Sequence, residues 1–285
     1  MIPLLLLSIV TASFNGVTMH RAKLGGTGDV FAFNTLCAAV WCVLLFIANG
    51  FTLRFTREVI LFGVIYGVTQ TLFILFKTLA MNSGPVSVTT LIGNFSVVVS
   101  VACCFFLWRE PVGVGDVCGL ALLMCGIILT TYKRPEGEMK RIWKIAAPLF
   151  LICGAGVGLT FKAFGKAGAS AYAGDMMLLA ALIMLMSYSG IYLALPKKRA
   201  VAEVAGDGAF LLLALASGAL SCIYNRLNVY LSGALDGVIF FPSFNGGVVI
   251  LSTLLGVFLL KEKLSHRQLS GIVAGVVGIC IIGIF

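Results

Sequence analysis

Polar side chains recur at helical spacing inside otherwise apolar runs, and these are the groups that could do chemistry. Ser8, Thr11, Asn15 and Thr18 form one such set, and Gly63, Tyr66, Gln70 and Lys77 a second. Spacings of three and four residues put each set on one face of a helix. Ser87, Thr90 and Asn94 make a third set; Ser217, Ser221, Tyr224 or Asn225, and Asn228 make a fourth. An isolated Ser or Thr can satisfy its hydroxyl on the carbonyl one turn back. The carboxamides of Asn15, Gln70 and Asn94 need more partners than their own helix supplies. Together, the four faces predict a central polar cavity whose chemistry is hydrogen-bond recognition of a small polar solute.

Charge sharpens that reading. Lys77, Lys162 and Arg226 lie within apolar segments, and Asp175 and Asp236 are the carboxylates at comparable depth. Long basic stems can snorkel to the headgroups; alternatively, these cations offer a counter-charge to a carboxylate or phosphate on a substrate. Asn34 and Asp175 occupy early positions in matching segments, and Asp175 or His20 could titrate for ion coupling. Phe240-Phe241-Pro242-Ser243-Phe244-Asn245-Gly246-Gly247 predicts an interrupted helix, because Pro242 removes a backbone donor. Such breaks expose backbone to substrates, which makes Asn245 a binding candidate. The candidate substrate-binding set is therefore Asn15, Asn34, Tyr66, Gln70, Lys77, Asn94, Lys162, Asp175, Tyr224, Arg226 and Asn245.

The elements that must position these residues are membrane helices. The 285 residues are 60% hydrophobic and 11% charged, against roughly 25% charged in soluble chains. Ten apolar segments can be marked, at about 2–20, 29–49, 58–81, 85–107, 112–131, 144–164, 171–195, 209–230, 234–260 and 266–285. Each is long enough to span a bilayer. The net charge of +9 sits mostly in the connections, where the positive-inside rule explains it without nucleic acid. The nine cysteines form no Cys-x-x-Cys pair and read as packing residues, so neither a metal nor a cofactor is expected. Met1-Ile-Pro-Leu lacks a basic region and reads as the start of a first span. With histidines only at 20 and 266, no convergent catalytic set is visible and an enzyme is not expected.

An internal repeat organises the segments. Trp108-Arg109-Glu110-Pro111 and the corner Lys261-Glu262-Lys263-Leu264 each precede a glycine-punctuated final helix; with Glu110 on Glu262, Gly119 falls on Gly271 and Gly126 on Gly278. Lys77 to Gly84 also aligns with Arg226 to Gly233 through the shared Ser-Gly. Five spans per half is odd, so the second half is upside down relative to the first: an inverted repeat. The expected units are residues 1–132, a connecting loop 133–143, and residues 144–285. Gly119, Gly126, Gly271, Gly275 and Gly278 are expected to let helices approach closely, with Glu110 and Glu262 as corners of the repeat.

Two five-helix halves, each with an acidic corner and a Gly-rich last helix, resemble the drug/metabolite transporter superfamily, and within it the EamA-type transporters. The resemblance implies an all-α integral membrane fold of ten transmembrane helices, a multi-pass place in the cell (plasma or inner) membrane, and export of small metabolites. Small four-helix members rely on a Glu in the first helix. Here that helix has Asn15 at its centre and no carboxylate, which speaks against drug–proton antiport by that route. The expectation is a monomeric exporter of small polar metabolites such as amino acids or related carboxylates, with a proton or other ion open as coupling partner. A multidrug exporter and a non-transport assembly protein are the alternatives. Basic residues in connections number 13 on one face (Arg21, Lys23, Lys133, Arg134, Lys140, Arg141, Lys144, Lys197, Lys198, Arg199, Lys261, Lys263, Arg267) against four on the other (Arg54, Arg57, Arg109, Lys166). That bias puts both termini outside, whereas the resemblance implies cytoplasmic termini.

Overall fold

The computed structural model describes residues 1–132, 139–260 and 265–284. Among them the chain is helical throughout, without a strand. The order is α1 (Ile2–Arg21), α2 (Thr27–Ala48), α3 (Arg57–Ser83), α4 (Val86–Asn94), α5 (Ser96–Trp108), α6 (Val114–Thr131), α7 (Trp143–Lys166), α8 (Ala173–Ala194), α9 (Val201–Gly206), α10 (Gly208–Ala234), α11 (Gly237–Leu260) and α12 (His266–Ile284). Nine stretches among the described residues are long and apolar enough to cross a membrane, with α4 and α5 forming one of them, Val86–Trp108; His266–Ile282 is a shorter apolar helix. All ten expected segments are thus helical, and α9 is a short helix on the connection before α10. Helices are what lipid permits, since every backbone group must find its partner within the segment. The corner at 261–264 and the loop at 133–138 lie outside the described residues.

Local signals set several ends. Thr56 caps α3 by accepting from Val59 N–H at 3.2 Å, and Asp207 caps α10 by accepting from Phe210 N–H at 3.0 Å. Asp116 reaches back to accept from Gly113 N–H at 2.8 Å at the start of α6. The Arg267 guanidinium donates to the Ile128, Leu129 and Tyr132 carbonyls. It ties the start of α12 to the C-terminal end of α6.

The packing has the reciprocity of an inverted repeat. With α4 and α5 as one span, α3 packs on α7 and α8, while its counterpart α10 packs on α1 and α2; α2 meets α8, and α6 meets α12. The α6–α12 seam is the tightest approach, and its glycines are required there. A Cβ on Gly119 would stand 2.8 Å from the Gly278 carbonyl oxygen, and one on Gly126 2.6 Å from that of Gly271. Low numbers of one helix face high numbers of the other, so the helices run antiparallel, as two inverted copies must at a two-fold axis.

Two features differ from the sequence reading. Helix α11 runs unbroken through Pro242. Pro242 is its sixth residue, so the carbonyl it leaves unpaired belongs to Val238 in the first turn, where a helix loses least. The interruption falls instead in the fourth span, where Phe95 separates α4 from α5. No proline or glycine occupies Phe95 itself, which is why composition did not reveal it.

Candidate functional site

Two cavities lie side by side among α1, α2, α3, α4–α5, α7, α8, α10 and α11. The smaller, about 130 Å³, is lined by Asn15, Asn34, Trp41, Tyr188, Ser217 and Ser221 among others. The larger, about 350 Å³, is lined by Asn94, Asn228 and Asn245 with a wall of aromatic rings from Phe150, Phe161, Phe240, Phe241 and Phe244. They share Gln70, Phe73, Lys77, Tyr224 and Asn225. The larger volume is in the range of small-molecule sites. Among the described residues, Lys77 is the charged side chain in either lining, and none of the lining residues is a carboxylate.

The smaller cavity sits toward one membrane face. It takes residues from the C-terminal halves of α1, α3 and α8 and from the N-terminal half of α2. This is the face that carries the excess of basic residues.

Most of the cavity's polar groups are held in place by one another. Ser217 Oγ donates to Asn15 Oδ1 at 2.5 Å, joining α10 to α1. Ser8 Oγ donates to Asn228 Oδ1 at 2.6 Å across the same pair. Trp41 Nε1 donates to Ser221 Oγ at 2.8 Å, and Asn225 Nδ2 to the Ser221 carbonyl at 2.8 Å. Asn34 and Asn245 bond back to Val30 and Phe241 carbonyls at 2.8 and 2.9 Å. Phe240 and Phe244 stack at 5.9 Å, Tyr224 lies 6.2 Å from Phe244, and Phe73 is 5.0 Å from Phe150. The Lys77 ammonium has no hydrogen bond or ion pair among the described residues, so it can receive a partner that enters the cavity.

Seven of the eleven candidates line the cavities: Asn15, Asn34, Gln70, Lys77, Asn94, Tyr224 and Asn245. The structure places the other four elsewhere. Tyr66 is wholly buried behind the wall, where its hydroxyl donates to Asn225 Oδ1 at 3.4 Å. Asp175 accepts from Arg54 N–H at 3.0 Å and from Asn49 Nδ2 at 3.4 Å, fastening the α2–α3 connection to the start of α8. Arg226 is exposed, with its guanidinium beside Gly174.

Lys162, fully buried, is paired with Glu110 Oε1 at 2.6 Å and donates to the Leu235 carbonyl at 2.6 Å. Glu110 also meets Lys166 at 3.3 Å and accepts from Gly237 N–H at 2.6 Å. Burial alone would raise the Glu110 carboxyl; Lys162, the Gly237 N–H and Lys166 outweigh it and hold the group below the usual carboxylate range. This cluster clamps the α5–α6 corner, α7 and the start of α11 at the face opposite the smaller cavity.

The aromatic wall was not legible as a wall, because phenylalanines inside apolar runs look like lipid-facing residues. Asn225 and Asn228 were visible only as members of a polar stripe.

Residues 1–132 match the model of the EamA-like transporter family, which places that part of the chain in the drug/metabolite transporter superfamily. No curated protein matches the chain. Among solved structures, one crystal structure aligns with a TM-score of 0.77 at 16% identity over 98% of this chain and 94% of that one, a likeness of fold. Fold and match together support a multi-pass membrane transporter of the drug/metabolite type, with a small-molecule substrate and a lipid surround.

Proposed function

We propose that the chain is a secondary transporter that exports small carboxylate-bearing metabolites, amino acids and related acids among them, across the cell membrane. The observation that carries this is Lys77, which among the described residues is an unpaired cation in the wall shared by two cavities whose linings contain no acid. A carboxylate entering there gains a charge-assisted hydrogen bond, and the amides of Gln70, Asn94 and Asn245 can bond its polar groups. A lipophilic cation would meet a like charge with no acid to offset it. Residues 1–132 and 144–285 form the two inverted units, which rock about the cavity to expose it alternately. Since both units line the cavity, the monomer is the working unit. Purified protein in proteoliposomes should accumulate a labelled monocarboxylate, with competition by carboxylates and amino acids and none by sugars or lipophilic cations. Competition by lipophilic cations alone would favour the multidrug alternative, and competition by no class would refute transport.

A further inference from the structure

The larger cavity ends against one set of contacts. Ser100 on α5, Gly158 on α7 and Phe241 on α11 belong to its lining. One helical turn beyond each, away from the smaller cavity, stand Cys104, Lys162 and Gly237. The floor between is apolar. The Phe241 ring packs on Gly158 so closely that a Cβ there would lie 2.6 Å from it. Phe240 and Phe241 are buried together with Val101, Cys104 and Leu231. Beneath that floor lies Glu110, with 4% of its surface exposed. Glu110 comes from the first half of the chain, and its partners Lys162, Lys166 and Gly237 N–H all come from the second.

Such a contact suits a joint that has to part. Exposed to water, Glu110 and both lysines stay ionised and regain their hydration, which offsets much of the attraction lost. Lys166 is already partly exposed and gives water an edge at which to enter. The α6–α12 seam, glycine against backbone, offers water no such exchange. We infer that the Glu110–Lys162–Lys166 cluster is the gate at the face opposite the smaller cavity: closed in this structure, it parts when the cavity opens on that side. The inference rests on the reading of the chain as an alternating-access transporter.

Two native thiols report on the two faces. Cys104 is buried behind the gate against Gly237, and Cys37 lines the smaller cavity. The full-length protein in detergent is treated with sulfonatoethyl methanethiosulfonate, a small charged thiol reagent. Peptide mass spectrometry then follows each cysteine. In the wild type Cys37 should label at least about tenfold faster than Cys104. Glu110→Gln strands Lys162 in the closed gate, so Cys104 labelling should rise at least about tenfold. Cys37 labelling should fall at least about twofold as the other side closes. Glu110→Asp, which keeps the charge but shortens its reach, should show both changes at reduced size, and it decides the matter if Glu110→Gln fails to fold. Glu110→Gln/Lys162→Met removes the stranded charge and should bring both rates back toward wild type. Gly126→Leu strains a seam away from the gate, and the ratio of the two rates should stay within about twofold of wild type. A rise at Cys104 without a fall at Cys37 would make the cluster a structural clamp and overturn the gate, as would no change at either thiol. No substrate enters this experiment, so its failure leaves the uptake assay to judge the transporter reading separately.

Discussion

The Glu110 cluster permits a prediction whose ranking follows from the contacts alone. Glu110→Gln keeps the shape and an acceptor for Gly237 N–H but removes the charge opposite Lys162. That leaves a fully buried ammonium with only the Leu235 carbonyl at 2.6 Å. Stranding one member of a buried pair costs about 3–5 kcal/mol. Lys162→Met is milder, since Glu110 retains Lys166 at 3.3 Å and Gly237 N–H at 2.6 Å. Its main cost is the Leu235 carbonyl left without a donor, about 1–3 kcal/mol. Lys166 is 40% exposed, and its removal should cost below about 1 kcal/mol. The double variant Glu110→Gln/Lys162→Met should be more stable than Glu110→Gln alone, because the stranded charge is gone.

Thermal unfolding of the detergent-purified proteins measures the series. The folded-state carboxyl is depressed, so its stabilisation is complete above the ordinary carboxylate range and is lost as pH falls through the folded value. The wild type should lose Tm below that range, and Glu110→Gln should lose this part of the pH dependence. A Glu110→Gln variant as stable as wild type, or a double variant no better than Glu110→Gln, would refute the reasoning.

Three further outcomes follow from the packing and the cavity. Gly126→Leu should lower thermal stability by about 1–3 kcal/mol or more, because its first carbon would already lie 2.6 Å from the Gly271 carbonyl oxygen; an unchanged Tm would place the α6–α12 seam elsewhere. Ser217→Ala frees Asn15 Oδ1 from its 2.5 Å bond and should raise the KM for a carboxylate severalfold with little effect on Tm, read by initial uptake rates. Asn228→Asp keeps the acceptor for Ser8 Oγ at 2.6 Å while placing an acid in the lining with Lys77. Carboxylate uptake should fall about tenfold and competition by cations should appear, and unchanged selectivity in the uptake screen would count against Lys77 as the anion partner.

Much of the fold was legible because lipid enforces simple rules. Ten apolar runs became helices, and the glycines expected to allow close approach are the ones at which α6 and α12 touch. Half of the site was legible for a related reason. An amide such as Asn15 or Gln70 inside an apolar run has few places to go except a cavity. What the sequence could not give was the partner of each charge. Lys162 and Lys77 read alike along the chain, yet one meets Glu110 from a loop about fifty residues earlier and the other meets no acid among the described residues. Asp175 likewise looked like a membrane carboxylate, but a connection folds back to supply its donors. The break at Phe95 was invisible because proline and glycine mark only some helix breaks.

The geometry also revises how the two halves correspond. Matching Ser-Gly with Ser-Gly set Lys77 on Arg226, but those side chains point to different surroundings. Helices α3 and α10 are both 27 residues long, and ending them together (Ser83 on Ala234, a shift of 234 − 83 = 151) sets Lys77 on Asn228 and Asn94 on Asn245. All four line the larger cavity. In this register the amides Asn94 and Asn245 form a symmetric pair, while the lysine faces a neutral amide across the pseudo-two-fold. The scaffold is therefore nearly symmetric and the charge is not. Under the proposed alternating-access reading, halves that exchange roles need similar packing in both states, and the reciprocal helix contacts would supply it. In that proposal a single cation at the shared wall serves both states without a second one, whose repulsion would have to be offset each time the cavity emptied.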